Sequence, residues 1–194
     1  MGKLSRENLY SLEKYAAIRP DFRAKVMEHK KHRRVPIGDH AALYFEDALT
    51  MQYQVQEMLR LERIFEPEGI QEELDVYNPL IPDGSNWKAT FMVEYEDEAE
   101  RKQALGRLVG VEKAVWVQVE GFDKVFAIAN EDLERETPDK TAAVHFMRFE
   151  LSPGMVAAVK QGATVRAGID HPACFETVVQ LSEAVRDSLA GDLI

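Results

Sequence analysis

Apolar and polar positions alternate over KATFMVEYE, residues 88–96, and over AALYFED, residues 41–47. Alternation puts one side of a strand in the core and the other toward solvent, so both segments are expected as strands. AVWVQVEGFDKVFAIA (114–129) alternates on both sides of Gly121 and Asp123 and predicts a β-hairpin. TAAVHFMRFEL (141–151) is apolar on both faces and predicts a central strand, and ATVRAGI (163–169) predicts another. Elsewhere the period is helical. Leu9, Leu12 and Ala16 share one face of a helix that begins at Ser5 and is expected to break at Pro20. Phe22, Val26 and His29 form the inner stripe of a second helix, from about Asp21 to Arg34, ended by Pro36 and Gly38. Met51, Val55, Met58 and Phe65 line a third helix over 51–65, and Pro67 suits the first turn of a fourth that ends before Asn78-Pro79. NPLIPDGSNW (78–87) has turn chemistry at Asp83-Gly84 and is expected as a loop anchored by Trp87. Asp97 with Glu100 predicts a capped helix closed by Gly110; Ser152-Pro153 opens one closed by Gly162; residues 182–190 form the last. Helices first, then hairpin-linked strands with helices between them, predict an α+β fold. Its sheet is antiparallel or mixed, with helices packed on one face and an N-terminal helical segment. With no repeat, low-complexity stretch or linker, 1–194 is expected as one domain, with helices over 1–34 and an α+β body over 41–194.

At 45% hydrophobic and 30% charged residues, the 194-residue chain has the balance of a protein that buries its own core. Cys174 is the only cysteine, which excludes an internal disulfide and any all-cysteine metal site within the chain. MGKLSRENLYSLEKY lacks the apolar stretch of a secretory signal, and no apolar run approaches the ~20 residues of a membrane span. A cytoplasmic location is expected, without membrane contact.

Charge changes the picture in two places. The net charge of −10 makes nucleic acid an unfavoured partner, yet residues 19–34 hold seven Lys and Arg against Asp21 and Glu28. Lys30, Lys31, Arg33 and Arg34 are therefore candidates for binding an anion or an acidic partner, and RNA is the weaker alternative use of the same patch. Residues 57–75 hold seven acids against Arg60 and Arg63. The plainer account of both segments is two solvated helix faces.

Glu62 projects between Val55 and Met58, inside the apolar stripe, if the helix runs through it. An unpaired carboxylate there costs several kcal/mol or stays protonated. Arg148 is a comparable misfit on the 141–151 strand, and His145 lies on the neighbouring face. A Glu62–Arg148 pair with His145 close by is the candidate for a catalytic pocket, and a purely structural ion pair is its alternative. Asp83 and Lys88 flank a loop that is a further binding candidate. His29 and His32, at i and i+3, and His40 and His171, beside Asp39 and Asp170, lack any zinc or calcium pattern, and HKKHRR repels a divalent ion. No metal and no cofactor is expected. Cys174, three residues after His171, is a minor candidate nucleophile.

FRAKVMEHKKHRRVPIGDH, FEDALTMQYQVQEMLRLERIF, IQEELDVYNPLIPDGSNWKAT, KTAAVHFMRFEL and GIDHPA resemble the bacterial domain-of-unknown-function family numbered thirty-five-oh-one, over nearly the whole chain. The resemblance implies no assigned activity and no catalytic residues. It implies genes that lie near those of rubrerythrin-like and iron–sulfur oxidoreductase proteins. The function expected is that of a non-enzymatic accessory protein, which binds a protein partner or small anion in a redox or stress-response system, with a homo-oligomer possible. An enzyme built on Glu62, His145 and Arg148 is the first alternative, and RNA binding the second.

Overall fold

A computed structural model describes residues 2–132, 135, 137, 139–173 and 177–194. The strands are β1 (Arg34–Ile37), β2 (Ala41–Glu46), β3 (Asn86–Val93), β4 (Val115–Val119), β5 (Val125–Phe126), β6 (Ile128–Ala129), β7 (Val144–Glu150), β8 (Val165–Ile169) and β9 (Thr177–Gln180). The helices are α1 (Leu12–Lys30), α2 (Ala48–Leu61), α3 (Pro67–Tyr77), α4 (Glu98–Arg107), α5 (Pro153–Lys160) and α6 (Glu183–Ala190). The fold is α+β. Its strands form two sheets, ordered β1-β2-β3-β7-β6 and β5-β4-β8-β9, and every pairing is antiparallel.

The expected 114–129 hairpin is present as β4 against β5, with Trp116 opposite Phe126, but the returning strand then changes partner. Ala127 donates to the Val115 carbonyl in the second sheet, while Asn130 donates to the Phe146 carbonyl in the first. Residues 125–130 therefore form a corner shared by both sheets. Between the sheets lies the main core. Leu43, Phe45, Trp87, Phe91 and Phe149 of the first meet Val115, Val117, Val165 and Ile169 of the second, and α4, α5 and α6 add Ala104, Val159 and Leu189. Trp87 is fully buried and its indole N–H donates to the Leu189 carbonyl at 3.0 Å, so it anchors the preceding loop as expected.

Three helix expectations are corrected. Pro20 does not break α1, which runs through it. The hydrogen bond that proline omits would have reached the carbonyl of Ala16, an exposed residue, so the helix loses this bond on its solvent side. Tyr15, Phe22 and Val26, buried against Tyr53, hold both halves in line. At its far end, α1 stops at Lys30, and Arg34–Ile37 is an edge strand in which Pro36 is tolerated. Finally, α2 starts earlier and stops earlier than 51–65. Asp47 caps it by accepting from the Thr50 N–H, and Arg63 turns left-handed with φ 56°. Phe65 falls outside the helix and is 68% exposed rather than part of the inner stripe. Among the described residues no helix is long and apolar enough to cross a membrane.

Candidate functional site

Glu62 is the C-cap of α2 and is exposed. The projection that placed it among apolar residues required the helix to continue, and the turn at Arg63 removes that premise. The expected Glu62–Arg148 pair does not form. Arg148 instead holds Glu131 with two bonds, Nε to Oε2 at 3.0 Å and an Nη to Oε1 at 2.8 Å, and also bonds Glu150. These hydrogen bonds, first to Glu131 and then to Glu150, hold the guanidinium charge firmly, and Arg148 holds the Glu131 carboxyl below its ordinary range.

His145 is fully buried on the opposite face of β7, against the core. Its Nε2 lies 2.9 Å from the Thr141 hydroxyl and 3.0 Å from the Ala142 carbonyl, and its Nδ1 lies 3.0 Å from the Asn130 amide nitrogen. With the hydrogen on Nε2, the ring donates to Ala142 and accepts from Asn130. That is the accounting of a structural histidine, turned away from Arg148 by strand alternation.

The basic segment does not form one surface. Lys30 ends α1, Lys31 pairs with Glu28 at 2.5 Å, and Arg34 reaches the Tyr44 hydroxyl at 3.0 Å and Glu94 at 3.2 Å. Arg33 points into the protein and is 2% exposed. Helical spacing turns into strand alternation at this point, so residues 33 and 34 face opposite ways. The Arg33 guanidinium donates to the Phe45 and Glu46 carbonyls, each at 3.0 Å, and to Asp192 at 2.5 Å, and lies 3.4 Å from Asp47. His29 Nε2 lies 2.6 Å from the other side of the same network, at Asp47. Burial pushes both acids up. Asp47 is nevertheless held below its usual value by Arg33, the Thr50 N–H and His29, whereas at Asp192 burial outweighs Arg33 and its carboxyl lies above the usual value.

His32 is exposed, and the other two histidines have structural partners. His40 stacks on Tyr95 with ring centres 4.0 Å apart, and His171 Nε2 lies 3.0 Å from the Val109 carbonyl. Among the described residues no three His, Cys, Asp or Glu side chains are grouped as metal ligands. Cys174, the proposed partner of His171, lies outside the described residues.

Two of the candidates do meet. Lys88 of β3 and Arg148 of β7 are paired across the first sheet, and strand alternation sends both side chains to the face away from the main core. They lie in a cleft of about 540 Å³. Val76, Tyr77 and Leu80 form one wall, from the end of α3 and the turn after it; Phe146, Glu131, Asp132 and Arg135 line the rest. Arg135 is held by Asp132 through two bonds of 2.5 Å and lies 4.7 Å over the Phe146 ring. Lys88 is half-buried, and no hydrogen bond or ion pair from a described residue reaches its ammonium. Glu46, opposite Lys88 on β2, is buried and accepts from the Thr90 hydroxyl at 2.8 Å. Burial and then the Arg148 charge lower the Lys88 pKa, against the pull of Glu131, Asp83 and Glu150. Asp83 is occupied in its turn, accepting from the Ser85 N–H at 3.0 Å, which holds its carboxyl low.

The family model described as "Protein of unknown function (DUF3501)" matches residues 3–193. The chain belongs to this family. It is similar, at 51% identity and a TM-score of 0.94, to a solved structure of a protein of unknown function from Burkholderia pseudomallei, with 99% of this chain and 100% of that one covered. No curated protein matches it.

What distinguishes the cleft of this DUF3501 member is the division of labour among its three cations. Arg148 and Arg135 have donors occupied by carboxylates, whereas no described residue occupies those of Lys88. A half-desolvated ammonium without an acceptor is a cost that a bound oxygen would relieve. Sequence reasoning singled out Lys88 and Arg148 but missed Glu131, Glu150, Tyr77 and Phe146. Strand alternation already placed Phe146, Arg148 and Glu150 on one face; nothing in the pattern of residues pointed to Glu131 or to the wall from α3.

Proposed function

We propose that this DUF3501 member is a non-enzymatic accessory protein that binds a small organic anion in the cleft over Lys88. One observation carries the reading: a half-buried ammonium with no partner among the described residues, in a cleft whose other cations are saturated. The anionic head takes the Lys88 donors, and an apolar body lies against Val76, Tyr77, Leu80 and Phe146. The test is the melting temperature with 3-phenylpropanoate. Wild type is expected to rise with ligand concentration, and Lys88→Met, folded as judged by circular dichroism, is expected not to respond. A flat response in wild type, or an equal rise in Lys88→Met, removes the site.

We place this role in the cytoplasm, as an accessory to a redox or stress-response system. The support is the resemblance to a family associated with oxidoreductase genes, together with a sole cysteine, Cys174. Deleting the gene in its native cell is expected to sensitise growth to peroxide, with complementation by wild type but not by Lys88→Met. Unchanged peroxide tolerance overturns this placement.

A further inference from the structure

We propose that Lys88 captures its ligand covalently, as an imine with the ketone of a 2-oxo acid that carries an apolar side chain. The inference rests on the cleft being a binding site, as argued above, and adds the ligand class and the bond.

Four observations lead to it. The amine stands at the junction of an apolar wall and a charged floor, so a ligand with its side chain against Tyr77, Leu80 and Phe146 presents its polar end to Nζ. No carboxylate among the described residues holds that nitrogen as an ammonium. The described acids around it are engaged elsewhere: Glu131 and Glu150 with Arg148, Asp132 with Arg135, Glu46 with Thr90 and Asp83 with Ser85. Asp75, on the α3 wall, accepts from Gln71 at 2.8 Å. Finally, burial and the neighbouring Arg148 charge favour the free amine, whose lone pair is what attacks a carbonyl.

The step balances without an oxidant or reductant. The Nζ lone pair forms the C–N bond while the carbonyl electron pair moves to oxygen, which takes up a proton. The resulting carbinolamine loses its hydroxyl as water, and the nitrogen electrons close the C=N bond. One amine and one ketone become one imine and one water. Protonated, the imine keeps the positive charge at Nζ, beside the ligand's own carboxylate. The electrostatic match of the anion site is thus preserved through the reaction.

The experiment compares phenylpyruvate with 3-phenylpropanoate, which has the same aromatic body and carboxylate but no ketone. Each is added to the full chain, sodium borohydride reduces any imine to a stable amine, and peptide mass spectrometry locates the adduct. Phenylpyruvate is expected to label Lys88 in preference to every other lysine, and 3-phenylpropanoate to label none. Lys88→Arg is expected to lose the adduct while its melting temperature still rises with 3-phenylpropanoate, since the cation remains. If both acids raise the melting temperature of wild type but no adduct forms, or label spreads evenly over the lysines, the imine is wrong and the anion site stands. If neither acid raises it and no adduct forms at Lys88, both readings fall together.

Discussion

Arg33 and Lys88 are two cations drawn out of water, and they have been treated in opposite ways. Arg33 is 2% exposed and surrounded by the Phe45 and Glu46 carbonyls, Asp47 and Asp192. Lys88 is half-buried, faces another cation across the sheet, and has no acceptor among the described residues. Both positions tax folding, but only one of the two is compensated inside the molecule. A saturated buried charge is explained by architecture, because it ties the start of the first sheet to the end of the chain past α6. One with no described partner is not, and that difference separates Lys88, as a candidate binding group, from the more conspicuous Arg33 network.

The largest effect is expected where the saturation is destroyed. Arg33→Met leaves two carboxylates in the interior without their shared cation and should cost about 3–5 kcal/mol at neutral pH by denaturant unfolding. The deficit should shrink as pH falls toward and below the ordinary aspartate value of about 3.9, because protonation relieves both orphaned acids. Wild type should behave differently on the same limb. The depressed pKa of Asp47 gives stability that is present above its unfolded value and lost as pH falls through the folded one. The raised pKa of Asp192 works in the opposite sense: its contribution is present below its unfolded value and lost as pH rises through the folded one. A deficit independent of pH would mean that Arg33 acts through packing alone. At the small end stands Glu62→Gln, expected to change stability by no more than about 0.5 kcal/mol, since the side chain is an exposed helix cap. A loss of several kcal/mol there would restore the buried Glu62–Arg148 pair in place of Arg148–Glu131.

Alternation and turn chemistry made much of the body legible. β2, β3 from Lys88 to Val93, the β4–β5 hairpin and the Ser152 cap of α5 all follow from local rules of pleat and cap. What stayed hidden lay at changes of period. The pattern that reads as helix through Arg34 continues across the point where the backbone becomes β1, so Arg33 and Arg34 looked like neighbours on one surface. Glu62 looked buried because nothing local announces that Arg63 will adopt a left-handed turn. In the cleft, the Lys88–Arg148 adjacency depends on the register of β3 with β7, and the Arg148–Glu131 pair on the corner at residues 125–130. Both are long-range facts that no window of the sequence contains.

The Arg33–Asp192 bond joins residues 159 positions apart. On a ribosome the guanidinium emerges long before the carboxylate that completes its shell, so the corner it occupies cannot close in its native form before residue 192 is made. Until then Arg33 has the Phe45 and Glu46 carbonyls and Asp47 but not its last carboxylate. The side chain that opens the first sheet is thus among the last in the chain to gain its full set of partners.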